Sequence, residues 1–227
     1  MNKNKKLVIV GAGETAEIAC EYFTVDSEYD VVGFAVDHQF ITSESIAGLP
    51  VIPLDKLESK FPPAEYWAFA AASSTKLNRV RTHLYDELKN KKYCIASYIS
   101  SKAFVWRNAQ IGENCFIFED NTIQPFVKVG NNVVLWSGNH IGHNSTIQDH
   151  CFLSSHVVIS GFCDVGEYSF LGVNSTVINN ISIGKNCFVG AGALIQKDVP
   201  PGSVLQAVST EISKVRSLRL FKIESDQ

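Results

Sequence analysis

None of the six cysteines stands in a C-x-x-C pair, which removes the commonest zinc and thioredoxin-like readings. No stretch approaches the roughly eighteen consecutive apolar residues of a membrane span. The basic start "MNKNKK" is followed by only four apolar residues before Gly11, too few for the apolar core of a signal peptide. Basic clusters dense enough to follow a phosphate backbone are missing, and the net charge is −3, so nucleic acid is a poor partner. The expectation is a cytoplasmic, reduced chain without membrane contact, whose cysteines are free thiols. What is present is ordinary globular composition, 45% hydrophobic and 19% charged over 227 residues, enough for one large domain or two small ones.

Residues 1–92 alternate short apolar runs with helical patterns. "KLVIV" (6–10), "DVVGFAV" (30–36) and "YWAFAAA" (66–72) predict buried strands. "ETAEIACEYF" (14–23) predicts a helix, as does "TKLNRVRTHLYDELKN" (75–90), whose Leu77, Val80, Leu84 and Leu88 share one face. Strands alternating with helices imply a small α/β domain with a parallel sheet.

From Ile99 the pattern changes. Every sixth residue through Ile195 is Ile, Leu or Val, seventeen positions without a break. Chance does not supply such a run, which is the signature of a hexapeptide solenoid. A second period of eighteen, three hexads, brings back "IGENCF" at 111, "VGNNVV" at 129, "IQDHCF" at 147, "VGEYSF" at 165 and "IGKNCF" at 183. One coil therefore has three short flat faces, and coils stack at about 4.8 Å. Two residues before each inward aliphatic the chain needs a small side chain, and Cys115, Cys151, Cys163 and Cys187 fill that place alongside Ser145, Ser169, Ser175 and Ala193. Those thiols are packing residues. The hexads run without insertion, so any site must come from the corners, the first domain or another subunit.

The residue before the aliphatic on one face, taken every eighteen positions, is Phe116, Val134, Phe152, Phe170 and Phe188. By strand alternation these point outward as one apolar strip that needs cover. The first domain or the tail can cover part of it, but a strip spanning every coil suits a neighbouring prism better, and a cyclic trimer is the expectation.

Four of the six histidines lie in residues 137–161. The solenoid register puts His143, His150 and His156 at corners and His140 on an outer surface. Their spacings do not repeat at eighteen, as ligands on stacked coils would, so no metal site is expected. "GAGETA", after a strand and opening a helix, matches G-x-G-x-x-A, with Asp37 ending the second strand. Glycines let backbone approach a diphosphate while the helix start supplies N–H groups. A nucleotide sugar, a dinucleotide and a plain packing turn all fit, although ninety residues make only half of a two-lobed dinucleotide fold. The tail segment "STEISKVRSLRLFKI" opens with a capping signal and predicts a short helix.

Over residues 5–205 the chain resembles the sugar acyltransferases of the left-handed β-helix superfamily. The subgroup is that of the sialic-acid O-acetyltransferases and the N-acetyltransferases of nucleotide-linked 4-amino-4,6-dideoxy sugars. "VIVGAGETAEIA", "VVGFAVD", "IGHNSTI" and "GVNSTVINNISIGKNCFVGAGALIQKDVPPGSVL" carry the resemblance. It implies a Rossmann-like α/β half domain (1–92), a left-handed parallel β-helix of hexapeptide repeats (93–205) and a tail (206–227). It also implies a homotrimer with acetyl-CoA bound between adjacent prisms. Gly11, Gly13, Glu14 and Thr15 would hold the diphosphate of a UDP-, dTDP- or GDP-sugar and Asp37 the nucleoside. Ser73 and Arg79 would belong to the next phosphate-side turn, where Ser73 and Ser74 replace the family's asparagines.

His143 falls where the family's general base falls, followed by Asn144 where some members carry an acid. Phe152 stands in place of a second family histidine, for which His156 is the substitute, and His140 is carried as a further substrate-side residue. Gly172, Gly190 and Ala191 would line the pantetheine groove, with Lys197 toward the nucleotide end of CoA. An amine attacking a thioester must be neutral, and an imidazole takes such a proton near neutrality. Holding the amine against an activated thioester supplies much of the rest, and backbone N–H groups are expected at the oxyanion. The expected activity is acetyl-CoA-dependent N-acetylation of a nucleotide-linked amino sugar for a surface glycan such as the O-antigen of lipopolysaccharide. An O-acetyltransferase of a sialic-acid-like sugar and a non-catalytic solenoid assembly module are the alternatives.

Overall fold

A computed structural model describes residues 3–223. The first unit runs β1 (Lys5–Val10), α1 (Glu14–Val25), β2 (Tyr29–Val36), β3 (Ser45–Ile46), β4 (Leu49–Pro53), α2 (Leu57–Lys60), β5 (Trp67–Ala70), α3 (Arg79–Asn90) and β6 (Cys94–Ile95). The sheet order is β3-β4-β2-β1-β5-β6, parallel apart from the β3–β4 hairpin. The continuous apolar run of β1 suits a strand covered on both faces, and Leu7, Val8 and Ile9 are fully buried. β6 lies past the boundary expected at residue 92. Its pairing with β5 carries the first unit to about Ala96.

The second unit is a parallel β-helix of two-residue strands in three sheets. Its first face runs from Tyr98–Ile99 to Val204–Leu205, its second from Phe104–Val105 to Leu194–Ile195, and its third from Gln110–Ile111 to Ser182–Ile183. Strands pair in register at an offset of eighteen, as Phe116 with Val134 and His140 with Val158, until the last coil, where Phe188 pairs with Val204. From Ile117 onward the inward aliphatics are buried, and the small residues two places before them are buried as well. From Asn114 each corner turns through one residue of positive φ, again every sixth. Asn114, Asn132, Asn144, Asn174, Asn180 and Asn186 take that place with φ of 54 to 63°, the conformation asparagine tolerates best after glycine.

The apolar strip is covered differently from the expectation. Phe116, Val134 and Phe152 are 1%, 3% and 8% exposed because the chain's own first unit lies on them. Phe23 of α1 stacks on Phe116, and Tyr22 meets Phe116 and Phe118 edge-on. Only the upper rungs are left, with Phe170 partly covered and Phe188 exposed.

Beside this apolar contact α3 lies along the corner between the third and first faces. The buried Arg81 guanidinium donates from Nε to Asn132 Oδ1 (3.0 Å), from Nη2 to the carbonyls of Asn132 and Cys151 (both 3.2 Å), and from Nη1 to that of Ser73 (3.2 Å). Among the described residues no carboxylate pairs with it, and burial pulls its pKa down to about 10, which still leaves it charged near neutrality. Asn114 Nδ2 donates to Asn132 Oδ1 (2.8 Å), and the Asn132 amide meets His150 Nδ1 (2.9 Å). His150 is therefore not a solvated corner residue. It stacks on Tyr168 and meets Tyr85 edge-on.

In the tail a single turn forms at Ser217–Leu220 behind Arg216. The expected start at Ser209–Thr210 caps nothing, since the chain there is irregular and exposed and offers a helix no surface to pack on. Residues 224–227 of the tail lie outside the described residues.

Candidate active site

At the carboxyl edge of the sheet a cavity of 350 Å³ is lined by Gly11, Gly13, Glu14, Thr15, Asp37 and Ser73, with Phe40, Val80 and Leu84 as an apolar wall. Gly11 has φ +134°, and a Cβ there would lie 2.1 Å from the carbonyl oxygen of Ala71, so the crossing of this turn over the end of β5 requires glycine. A Cβ on Gly13 would meet nothing. Its smallness is not needed by the chain and leaves room for a ligand over the start of α1, where the first N–H groups of a helix lack internal partners. Asp37 stands at the end of β2 on the cavity's rim.

Arg79 does not reach this cavity. Its guanidinium lies 3.4 Å from the centroid of the Tyr168 ring and donates to Asn186 Oδ1 (2.6 Å), so it belongs to the seam with the solenoid.

His143 sits at the corner between the second and third faces, and four neighbours hold it. Its backbone N–H donates to Gln124 Oε1 of the coil below (2.9 Å), and Asn144 approaches Nδ1 (3.2 Å). Gly161 of the coil above lies under the ring, where a Cβ would be 2.8 Å from Cε1 and 2.9 Å from Nε2. Phe162 meets the imidazole edge-on at 5.0 Å, and its N–H donates to the His143 carbonyl (2.9 Å). The amide nitrogen of Asn144 is the atom that faces Nδ1, and a base acting through Nε2, which carries its proton on Nδ1, needs that amide turned over so that its oxygen accepts. Gln124, Gly161 and Phe162 were not singled out in the sequence. The signal that finds them is the period of eighteen, which stacks 125, 143 and 161 into one column.

Backbone donors for an oxyanion are not free at this corner. The N–H groups of residues 142–145 and 160–163 all have acceptors in the chain, Gly161 donating to Asn179 Oδ1 (2.9 Å).

The other expected residues fall elsewhere on the prism. His156 is at the corner between the first and second faces with its ring against Gly138, away from His143 within one chain, and His140 lies on the second face, paired with Val158 of the coil above. Gly172, Gly190 and Ala191 share the corner of His156. A Cβ on Gly172 would lie 2.6 Å from Ala191 N, so coil stacking already requires that glycine. Lys197 follows 143, 161 and 179 on the His143 column, three coils or about 14 Å along the axis. The first unit covers the first face, which places His143 at the corner opposite to it. Among the described residues no group of histidine, cysteine, aspartate and glutamate is arranged to hold a metal ion.

Residues 108–143, 127–161 and 162–197 match the family described as bacterial transferase hexapeptide (six repeats). No curated protein sequence matches the chain. Among solved structures, the acetyltransferase domain of PglB from Neisseria gonorrhoeae FA1090 superposes with a TM-score of 0.80 at 24% identity, over 88% of this chain and 96% of that one. PerB from Caulobacter crescentus, solved in complex with CoA and GDP-perosamine, gives 0.79 at 23% identity over 88% and 92%. WeeI from Acinetobacter baumannii AYE gives 0.69 at 18% identity over 89% and 97%. The shared fold is an α/β half domain followed by a left-handed parallel β-helix.

Proposed function

Taking as premise that residues 108–197 carry the bacterial transferase hexapeptide repeat, we propose that the protein is an acetyl-CoA-dependent N-acetyltransferase. Its acceptor is the amino group of a nucleotide-linked 4-amino-4,6-dideoxy sugar destined for a surface glycan. The observation that carries this reading is the seat of His143, an imidazole fixed at a solenoid corner, in a chain whose other half holds a diphosphate-sized turn beside an apolar cavity. Among structures of the same fold, PerB was solved with CoA and GDP-perosamine, and the Neisseria domain with acetyl coenzyme A.

In the reaction the sugar amine attacks the thioester carbonyl carbon and His143 takes the proton that the nitrogen sheds. The carbon–sulfur bond breaks, and the departing CoA sulfur ends as a thiol. Gly11, Gly13 and the first turn of α1 hold the diphosphate, and Asp37 holds the nucleoside. Gly172, Gly190 and Ala191 flank the pantetheine, with Lys197 near the nucleotide end of CoA. Both substrates are cytoplasmic metabolites, and the six cysteines are all free, which suits the same compartment. No helix among the described residues is long and apolar enough to cross a membrane.

One chain keeps His143 and the glycine corner apart by the width of the second face, so the working unit is an oligomer. The second face is apolar and open, with Phe104, Trp106, Val158, Ile178 and Leu194 exposed. A homotrimer with second faces turned to its axis covers them and sets the His143 corner of one copy beside the glycine corner of the next.

The test is thioester consumption with acetyl-CoA and a panel of amino-sugar nucleotides on dTDP, UDP and GDP, with sialic-acid-like hydroxyl acceptors alongside. Turnover confined to hydroxyl acceptors makes the protein an O-acetyltransferase. No turnover of any acceptor together with no CoA binding leaves a solenoid assembly module.

A further inference from the structure

Asparagine is the commonest residue at the positive-φ positions that turn the corners, but five bulky residues interrupt it: Phe126, His150, His156, Phe162 and Tyr168, with φ of 58 to 66°. An L side chain with a branched or aromatic body is disfavoured there, so each needs a reason. His150 and Tyr168 have one in the seam with α3, and the His156 ring lies against Gly138. Phe126 is 59% exposed, and Phe162 has no reason in burial either, since it is 56% exposed. Its contacts are with His143, through a perpendicular ring at 5.0 Å and through the bond from its N–H to the His143 carbonyl.

We propose that Phe162 is a positioning residue for His143, an inference that rests on reading His143 as the base. An exposed imidazole samples several rotamers, and only some direct a ring nitrogen at an incoming amine. Asn144 engages Nδ1, Gly161 lets the ring lie flat on the coil above, and the Phe162 ring closes the remaining side. The backbone conformation that costs the fold at this corner is kept because it presents that ring. Pre-orientation of a catalytic group raises kcat without changing how either substrate is bound.

The experiment compares Phe162→Asn, Phe162→Tyr and His143→Ala. Asparagine fits the left-handed corner, so Phe162→Asn is expected to keep the melting temperature or raise it by about 2–6 °C. The same variant is expected to lower kcat about ten- to a hundredfold with both KM values within twofold, and Phe162→Tyr to restore most of kcat. A kcat for Phe162→Asn within twofold of wild type overturns the proposal. So does a fall in melting temperature that parallels the fall in kcat, which would make Phe162 a structural residue. If His143→Ala turns over normally the base reading fails on its own. The His143 ring signals in a ¹H–¹³C spectrum then decide the positioning claim, since Phe162→Asn must broaden or split them, and an unchanged signal overturns it.

Discussion

Nε of Arg81 donates to Oδ1 of Asn132 at 3.0 Å, and through that bond a helix of the first unit is fastened to a corner of the solenoid. The same guanidinium reaches the carbonyl of Ser73, on the cavity's own turn. Replacing it by methionine takes the guanidinium donor from the carbonyls of Asn132 and Ser73, while Asn132 Oδ1 keeps Asn114 Nδ2, and each buried polar group left without a partner costs about 1–3 kcal/mol. Arg81→Met is therefore expected to lose about 2–4 kcal/mol in urea unfolding. Arg81→Lys should do no better, because an ammonium on a flexible stem cannot span acceptors arranged for a planar fork. Wild-type stability in Arg81→Met would show that the apolar contact alone holds the two units together.

The covered strip sets up a contrast between two charge insertions. Asp at position 152 would be buried against the first unit, so Phe152→Asp should unfold or release that unit, with separate transitions or new protease cuts near residues 92–97. Asp at the exposed position 194 meets no packing within the chain. Leu194→Asp should leave the monomer's fold intact but shift light-scattering mass from trimer to monomer and abolish turnover. A monomeric wild type, or a Leu194→Asp variant that stays trimeric and active, would rule out the second face as the interface.

Most of the architecture is legible in the sequence because it is periodic. The aliphatic sixth positions fix the prism, and the small residues two places before them account for four cysteines, all buried in the solenoid. Asn114, Asn132 and Asn186 mark the corners by the same count. What a period cannot say is which outer face another part of the chain covers. Phe116, Val134 and Phe152 read equally well as a subunit interface or an interdomain contact, and the choice rests on non-local packing of Phe23 and Tyr22. Arg79 shows the same limit, since its place just after a turn beside the cavity says nothing of the Tyr168 ring that draws its guanidinium away.

Gly13 tests whether the turn serves a ligand rather than the fold. Because a Cβ there meets nothing in the chain, Gly13→Val is expected to fold with a melting temperature close to wild type. It should raise KM for the sugar nucleotide at least tenfold, an amount that corresponds to about 1.4 kcal/mol of lost binding, and leave KM for acetyl-CoA unchanged. Equal damage to both substrates would argue against separate binding units.

His150 makes the seam sensitive to acid. Desolvation by burial lowers its pKa in the folded chain below the ordinary histidine value, a shift that the nearby Asp149 and Asp86 only partly offset. As pH falls through about 6.5 the unfolded chain binds a proton at this position before the folded chain does, so stability is complete above that pH and is lost below it. The carboxyls of Asp26 and Glu119, held low by hydrogen bonds, contribute their losses only at more acidic pH. Between pH 6.5 and 5 the melting temperature of the wild type should therefore fall more steeply than that of His150→Asn, which keeps a corner-compatible residue without a titrating ring. Parallel slopes would remove His150 from the acid response.

His143→Ala and His143→Asn are expected to lower kcat by about 10² to 10⁴, the range for losing a positioned base, with CoA binding little changed. The imidazole makes no contact that stabilises the core, and its ring rests on the solvent side of Gly161, so the melting temperature should hold. The defect should shrink as pH rises, because an amine that has already lost its proton to solvent no longer needs an acceptor in the site. Asn144→Asp adds a carboxylate beside Nδ1, which favours the protonated ring and should carry the acid limb of the kcat profile to higher pH. Asn144→Ala should instead lower kcat without moving that limb, since it removes the orienting contact and no charge. Near-normal turnover by His143→Ala at pH 7 would take this residue out of the mechanism, whatever the behaviour of Asn144.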